Sequence, residues 1–159
     1  MNEQVLRDMT ASDISSVVEI HQQAFQGFFI EQMGPLFIKK YYSIVLSYSG
    51  SIAHVYLGKD GFVEGFAVGF VDPRAFYGKL KRSGLKLLVP IVLGIINKPT
   101  LCLKIFQNFR RMFFSERIKS QLMSADTAEL SSIAVRSAAK GVGSFLIGAF
   151  IKDVWSRNL

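Results

Sequence analysis

The residues best suited to chemistry fall in one stretch, Leu130 to Phe150, LSSIAVRSAAKGVGSFLIGAF. An apolar run closing at Val135 is followed by Lys140-Gly141-Val142-Gly143-Ser144. From Val142 the apolar residues Phe145, Leu146, Ala149, Phe150 and Val154 recur at helical spacing. The pattern predicts a buried strand, a glycine turn and a helix. Glycines at such a junction let backbone N–H groups turn outward, and the first helical turn adds unpaired N–H groups and the positive end of the dipole. That combination suits a phosphate or pyrophosphate. An ordinary turn into a helix uses the same residues, so the pattern alone leaves both readings open. Two nucleotide motifs are excluded: no Gly-Lys-Ser/Thr closes the run, and the third glycine and downstream acid of the dinucleotide fingerprint are missing.

Other reactive side chains are sparse. His21 shares an apolar helical face with Ile14, Val17, Val18, Ala24 and Phe25, which reads as a core or cleft-lining histidine. No second His or Cys stands at ligand spacing from His54, so no metal site is expected. The single Cys102 excludes an internal disulfide and suits a reducing cytoplasm; in an apolar run it reads as a buried thiol. Ser131 and Ser132 read as strand residues rather than nucleophiles, since no His is near them in sequence.

The elements that must position these residues are legible in order. The 159 residues, half of them hydrophobic, suit one domain with a real core. Val5 to Met9 reads as a strand, and Thr10 with Asp13 starts a helix. Ile30, Met33, Phe37, Tyr41, Ile44 and Val45 suggest a second helix ending near Tyr48. Ile52 to Leu57 and Phe62 to Phe70 are hairpin strands around Asp60-Gly61, with Gly65 and Gly69 allowing a bulge or close backbone approach. The order β, α, α, β, β, then β, α predicts an α/β chain of the α+β kind: a mixed, mostly antiparallel sheet flanked by helices.

Glu129-Leu-Ser-Ser-Ile-Ala-Val135 followed by Lys140-Gly-Val-Gly-Ser144 resembles the acetyl-CoA motif of the GCN5-related N-acetyltransferases. The likeness extends to the Leu6-Arg7 opening, the Ile20–Phe25 IHQQAF helix, paired Phe28-Phe29, the hairpin, and Asp72-Pro73 with Phe76-Tyr77. It covers 5–70 and 128–159 and is nearest bacterial members that often accompany surface-polysaccharide genes. Ala138 stands in the motif's Gln/Arg slot, and the loop is about two residues shorter than usual. The resemblance implies acetyl transfer to a primary amine, with an amino sugar as one acceptor class; the alternative is a non-catalytic remnant or interaction module whose basic insertion, residues 74–123, binds a membrane surface or a protein partner. The resemblance also implies that the backbone of Ile133, Ala134 and Val135 pairs with the pantetheine arm. Lys140, Gly141, Val142, Gly143 and Ser144 would hold the pyrophosphate. Glu129, at the start of the cofactor strand, is the implied general base, with a surface carboxylate as the alternative reading and Asp126 as a second choice. The superfamily's later strands and tyrosine acid are expected to be absent, since Leu159 closes the sequence just after the cofactor helix. Either a truncated copy or a fold completed by another chain is expected, with an open sheet edge that invites homodimerisation or aggregation.

The net charge of +7 is concentrated: residues 74–123 carry +10 and the rest −3. This basic insertion between the third and fourth strands reads as two or three helices, over Phe76–Leu80, Leu85–Ile96 and Leu101–Phe114, divided by Pro73, Pro90 and Pro99. A solvated helical cover and a peripheral membrane surface both fit. Nucleic-acid binding ranks last, because Phe106, Phe109, Phe113 and Phe114 lack a recognised motif around them. The polar N-terminus carries no signal peptide, and the 87–97 apolar run is too short to span a bilayer, so a cytoplasmic protein, with or without membrane contact, is expected.

Overall fold

A computed structural model describes residues 5–97, 127–136 and 141–157. Four strands, β1 (Val5–Asp8), β2 (Ser51–Leu57), β3 (Val63–Val71) and β4 (Ala128–Val135), form one antiparallel sheet in sequence order. Helices α1 (Ile14–Ala24), α2 (Phe29–Gln32) and α3 (Pro35–Leu46) connect β1 to β2, α4 (Pro73–Arg82) and α5 (Gly84–Asn97) follow β3, and α6 (Val142–Ser156) follows β4. The fold is therefore α+β, with helices inserted between the third and fourth strands. The expected helix over Leu101–Phe114, together with Cys102, Asp126 and Lys140, lies outside the described residues.

Strand alternation splits the core into two layers. Val55, Phe66, Val68, Phe70 and Ala134 face α1, α3 and α4, packing with Val17, Ile38, Tyr42 and Phe76. The opposite face turns Tyr56 and Ala67 toward Val142 and Leu146 of α6. Arg7 locks the first turn onto β1. Its guanidinium meets the Asp13 carboxylate at 2.7 and 2.8 Å, and that carboxylate also accepts from the Thr10 N–H at 2.8 Å. The arrangement is the helix start expected from Thr10 and Asp13.

Two expectations need correction. The single helix read from Ile30 to Tyr48 is two, because Gly34 sits at φ 86° and Pro35 opens α3. A positive φ breaks the helical path, and proline at the first position starts the next one. Pro90, expected to divide the insertion, lies inside α5. At its other boundary α4 is set by Asp72, at φ 48°, whose side chain accepts from the Ala75 N–H at 3.1 Å. Phe76 then stacks on Phe70 with ring centroids 3.8 Å apart and holds α4 to the sheet.

Candidate functional site

Among the described residues β4 is an edge strand, with β3 on one side only. The Arg136 N–H donates to the Glu64 carbonyl at 2.7 Å. Antiparallel pairing alternates, so this bond fixes which backbone groups of β4 face β3. Positions 134 and 132, opposite Phe66 and Val68, belong to the bonded set. The N–H and C=O groups of Ile133 and Val135 therefore point out of the sheet, toward the open edge. Ala134, between them, turns its backbone to Phe66 and buries its side chain, so it supports the edge without offering it hydrogen-bonding groups.

At the other end of β4 the register shifts. Val68 opposes Ser132 and Gly69 opposes Leu130, which leaves Ser131 as an extra, bulged residue. The bulge needs Gly69: a Cβ there would lie 2.2 Å from the Glu129 carbonyl oxygen and 2.5 Å from the Phe150 ring. Its consequence is that two consecutive serines reach the α3 side of the sheet. Ser131 Oγ lies 2.6 Å from the Tyr41 hydroxyl and Ser132 Oγ 3.0 Å from that of Tyr42. Tyr77 of α4 donates to Glu129 Oε1 at 2.8 Å, while Oε2 is buried with no hydrogen-bond partner among the described residues. Three tyrosines thus attend Glu129, Ser131 and Ser132 on β4. A buried carboxylate oxygen without a donor is costly unless a donor arrives, and an acceptor ammonium would be one.

The Tyr42 hydroxyl also lies 2.7 Å from His21 Nδ1. Burial lowers the His21 pKa to about 4, opposed by the charge of Glu31, so the ring is neutral near pH 7. Burial pushes Tyr41 up to about 12 and raises Tyr42 as well, so both keep their protons. The hydrogen bond from Arg7 holds the Asp13 carboxyl down to about 2. Acid therefore acts in two windows. Below about 6.5 an unfolded chain protonates His21 while the folded one does not, so stability falls until about 4. From about 4 to about 2 the Asp13 contribution is lost as well. Thermal melting as a function of pH should show the first decline in the native protein and lose it in His21→Gln.

α6 begins at Gly141, in the left-handed conformation at φ 83°. The N–H groups of Val142 and Gly143 have no acceptor within the helix. A Cβ built on Gly141 or Gly143 meets nothing within 4 Å among the described residues. Val142 is buried and packs with Ile133 and Val135, which sets the bare helix end beside the outward backbone of β4. Gly65, where a Cβ would lie 2.7 Å from Val135 and 3.1 Å from Leu146, lets the helix sit this close. Ser144 donates its N–H to the Gly141 carbonyl at 3.1 Å, in the first turn. Six residues at about 3.3 Å each separate Glu129 from Val135, or roughly 20 Å along the edge.

His54 is not isolated in space. Its Nδ1 lies 3.2 Å from Asp8 and its Nε2 3.2 Å from Asp153, with donor atoms of the three residues within 4.8 Å of one another. The two carboxylates approach opposite ring nitrogens and so link β1 and β2 to α6. The contact to Asp153 has the distance of an ion pair without the alignment of a hydrogen bond.

Ile133, Val135, Gly141, Val142, Gly143 and Ser144 thus fall along the edge of β4 and the start of α6, while Glu129, six positions along the same strand, turns its carboxylate to Tyr77 of α4. His21 is the core or cleft-lining histidine expected from its helical face, while sequence reasoning missed that Tyr41, Tyr42 and Tyr77 would meet Ser131, Ser132 and Glu129 as a polar wall. The available signal was the Ser131-Ser132 doublet, which breaks strand alternation and marks a bulge. No known protein-family model matches the chain, and no curated protein matches it in sequence.

Proposed function

We propose that the chain is an N-acetyltransferase that moves an acetyl group from acetyl-CoA to a primary amine, the resemblance pointing to an amino sugar. The observation that carries this reading is the outward backbone of Ile133 and Val135 together with an N-terminus of α6 that has no side-chain cap. An extended amide-bearing arm can add to the edge as a further strand would, while its pyrophosphate meets the helix end. A Cβ at Gly141 or Gly143 meets none of the described residues, which suits a bulky anion there.

The cofactor, when bound, supplies an activated acetyl thioester. The chain's own residues do the rest. The N–H groups of Ile133 and Val135 orient the arm, and one of them at the carbonyl would stabilise the developing oxyanion. The first turn of α6 holds negative charge, with Ser144 able to add its hydroxyl. Glu129 receives the proton that the amine nitrogen loses as the N–C bond forms. Tyr77, bonded to Oε1, fixes the carboxylate so that Oε2 is the accepting atom. The C–S bond would break as the N–C bond forms, and the leaving thiolate would take its proton from solvent water. The direct test is release of free thiol from acetyl-CoA with hexosamine, polyamine or peptide amines, with the N-acetyl product confirmed by mass. Thiol release matched by product supports the reading; a folded protein inert with every amine tells against it.

A further inference from the structure

We infer that α5 is a membrane-docking helix that lies in the surface of an anionic lipid bilayer. α5 buries Leu87 and Pro90 and packs on α3. Its other side turns aliphatic residues to water: Val89 is 65% exposed, Val92 50%, Leu93 41% and Ile96 69%. Spacings of three and four place them in one stripe along the helix. Ordinary surface helices show polar residues there, and a helix apolar on both sides needs a second apolar environment.

The charge around the stripe says which environment. From Pro73 to Asn97 there is no Asp or Glu, against Arg74, Lys79, Lys81, Arg82 and Lys86. Arg74, Lys81 and Arg82 of the adjoining α4 are exposed. Lys79 Nζ is engaged by the Ser47 carbonyl at the end of α3. An aliphatic stripe beside uniform positive charge is the composition that anionic headgroups and acyl chains attract together. A protein partner would select differently, since protein hot spots are enriched in Trp, Tyr and Arg over Val and Leu. Residues 89 to 96 span about 10 Å of helix, enough to enter the headgroup boundary. Among the described residues no helix is long and apolar enough to cross a membrane. The inference does not depend on the acetyltransferase reading, because none of these residues lines the β4 edge.

The test is flotation of the full chain with vesicles of phosphatidylcholine, with and without phosphatidylserine. The expected result is binding to the anionic vesicles that weakens with salt. Val92→Asp with Ile96→Asp should lower it about 100-fold. Arg74, Lys81 and Arg82 changed together to Gln should also lower it about 100-fold, from about fivefold per charge. All these positions are exposed, and circular dichroism should show each variant folded. A folded wild-type chain that ignores anionic vesicles overturns the inference, as does undiminished binding by the Asp variant. A wild-type dimer that the Asp variant converts to monomer, without flotation, also overturns it and assigns the face to a second copy.

Discussion

Gly69→Ala is expected to be the most destabilising small substitution in the sheet, costing on the order of 3 kcal/mol. The added methyl would meet the Glu129 backbone oxygen at 2.2 Å and Phe150 at 2.5 and 2.8 Å. A flexible side chain can yield, but a carbonyl inside the β3–β4 ladder moves only with its strand. Relief requires β4 to shift at the bulge, and α6 to lift from the sheet. For a chain of this size the melting temperature should drop by about 10 °C. Gly65→Ala is the comparison. Its closest encounter, at 2.7 Å, is with the Val135 side chain, which can change rotamer, so its cost should be smaller. Equal losses at the two glycines would show that the bulge is not rigid.

Glu129→Gln should have the largest effect on turnover. The substitution keeps the shape and leaves an acceptor for the Tyr77 hydroxyl, while removing the group that takes the proton. A loss of about 100- to 10,000-fold in kcat is expected for a general base, with the KM for acetyl-CoA nearly unchanged. Tyr77→Phe should fall between this variant and wild type, because it loosens Oε1 without removing the carboxylate. An unchanged kcat in Glu129→Gln would assign the base elsewhere on the polar wall, where neutral His21 reaches Ser132 through Tyr42.

Much of this arrangement could be read from sequence because its causes are local. The hydrophobic periods of Ile14–Phe25 and Val142–Val154, the Asp60-Gly61 turn and the glycine junction each encode their element directly. The helix break at Gly34-Pro35 was equally local, but the apolar spacing from Ile30 to Val45 runs through it unchanged. Pro90 failed as a divider because helix packing against α3 outweighs one lost backbone bond. The polar wall of the site was hidden for a different reason. Tyr41 and Ser131 are separated by 90 residues, as are Tyr42 and Ser132, and only the sheet register brings them together. The same holds for His54, whose two carboxylate neighbours come from β1 and α6.

Calorimetric titration of the folded chain with acetyl-CoA tests the central claim most directly, run beside Gly143→Asp. A Cβ at 143 meets nothing within 4 Å among the described residues, and an acidic residue in the first helical turn favours the helix. That variant should fold at least as well as wild type while repelling a pyrophosphate. The account predicts saturable one-to-one binding by the wild-type chain, weakened at least about 100-fold in Gly143→Asp. A wild-type chain that is folded and takes up no acetyl-CoA, or a variant that binds it equally well, would contradict the assignment of the β4 edge and the α6 N-terminus as the cofactor site.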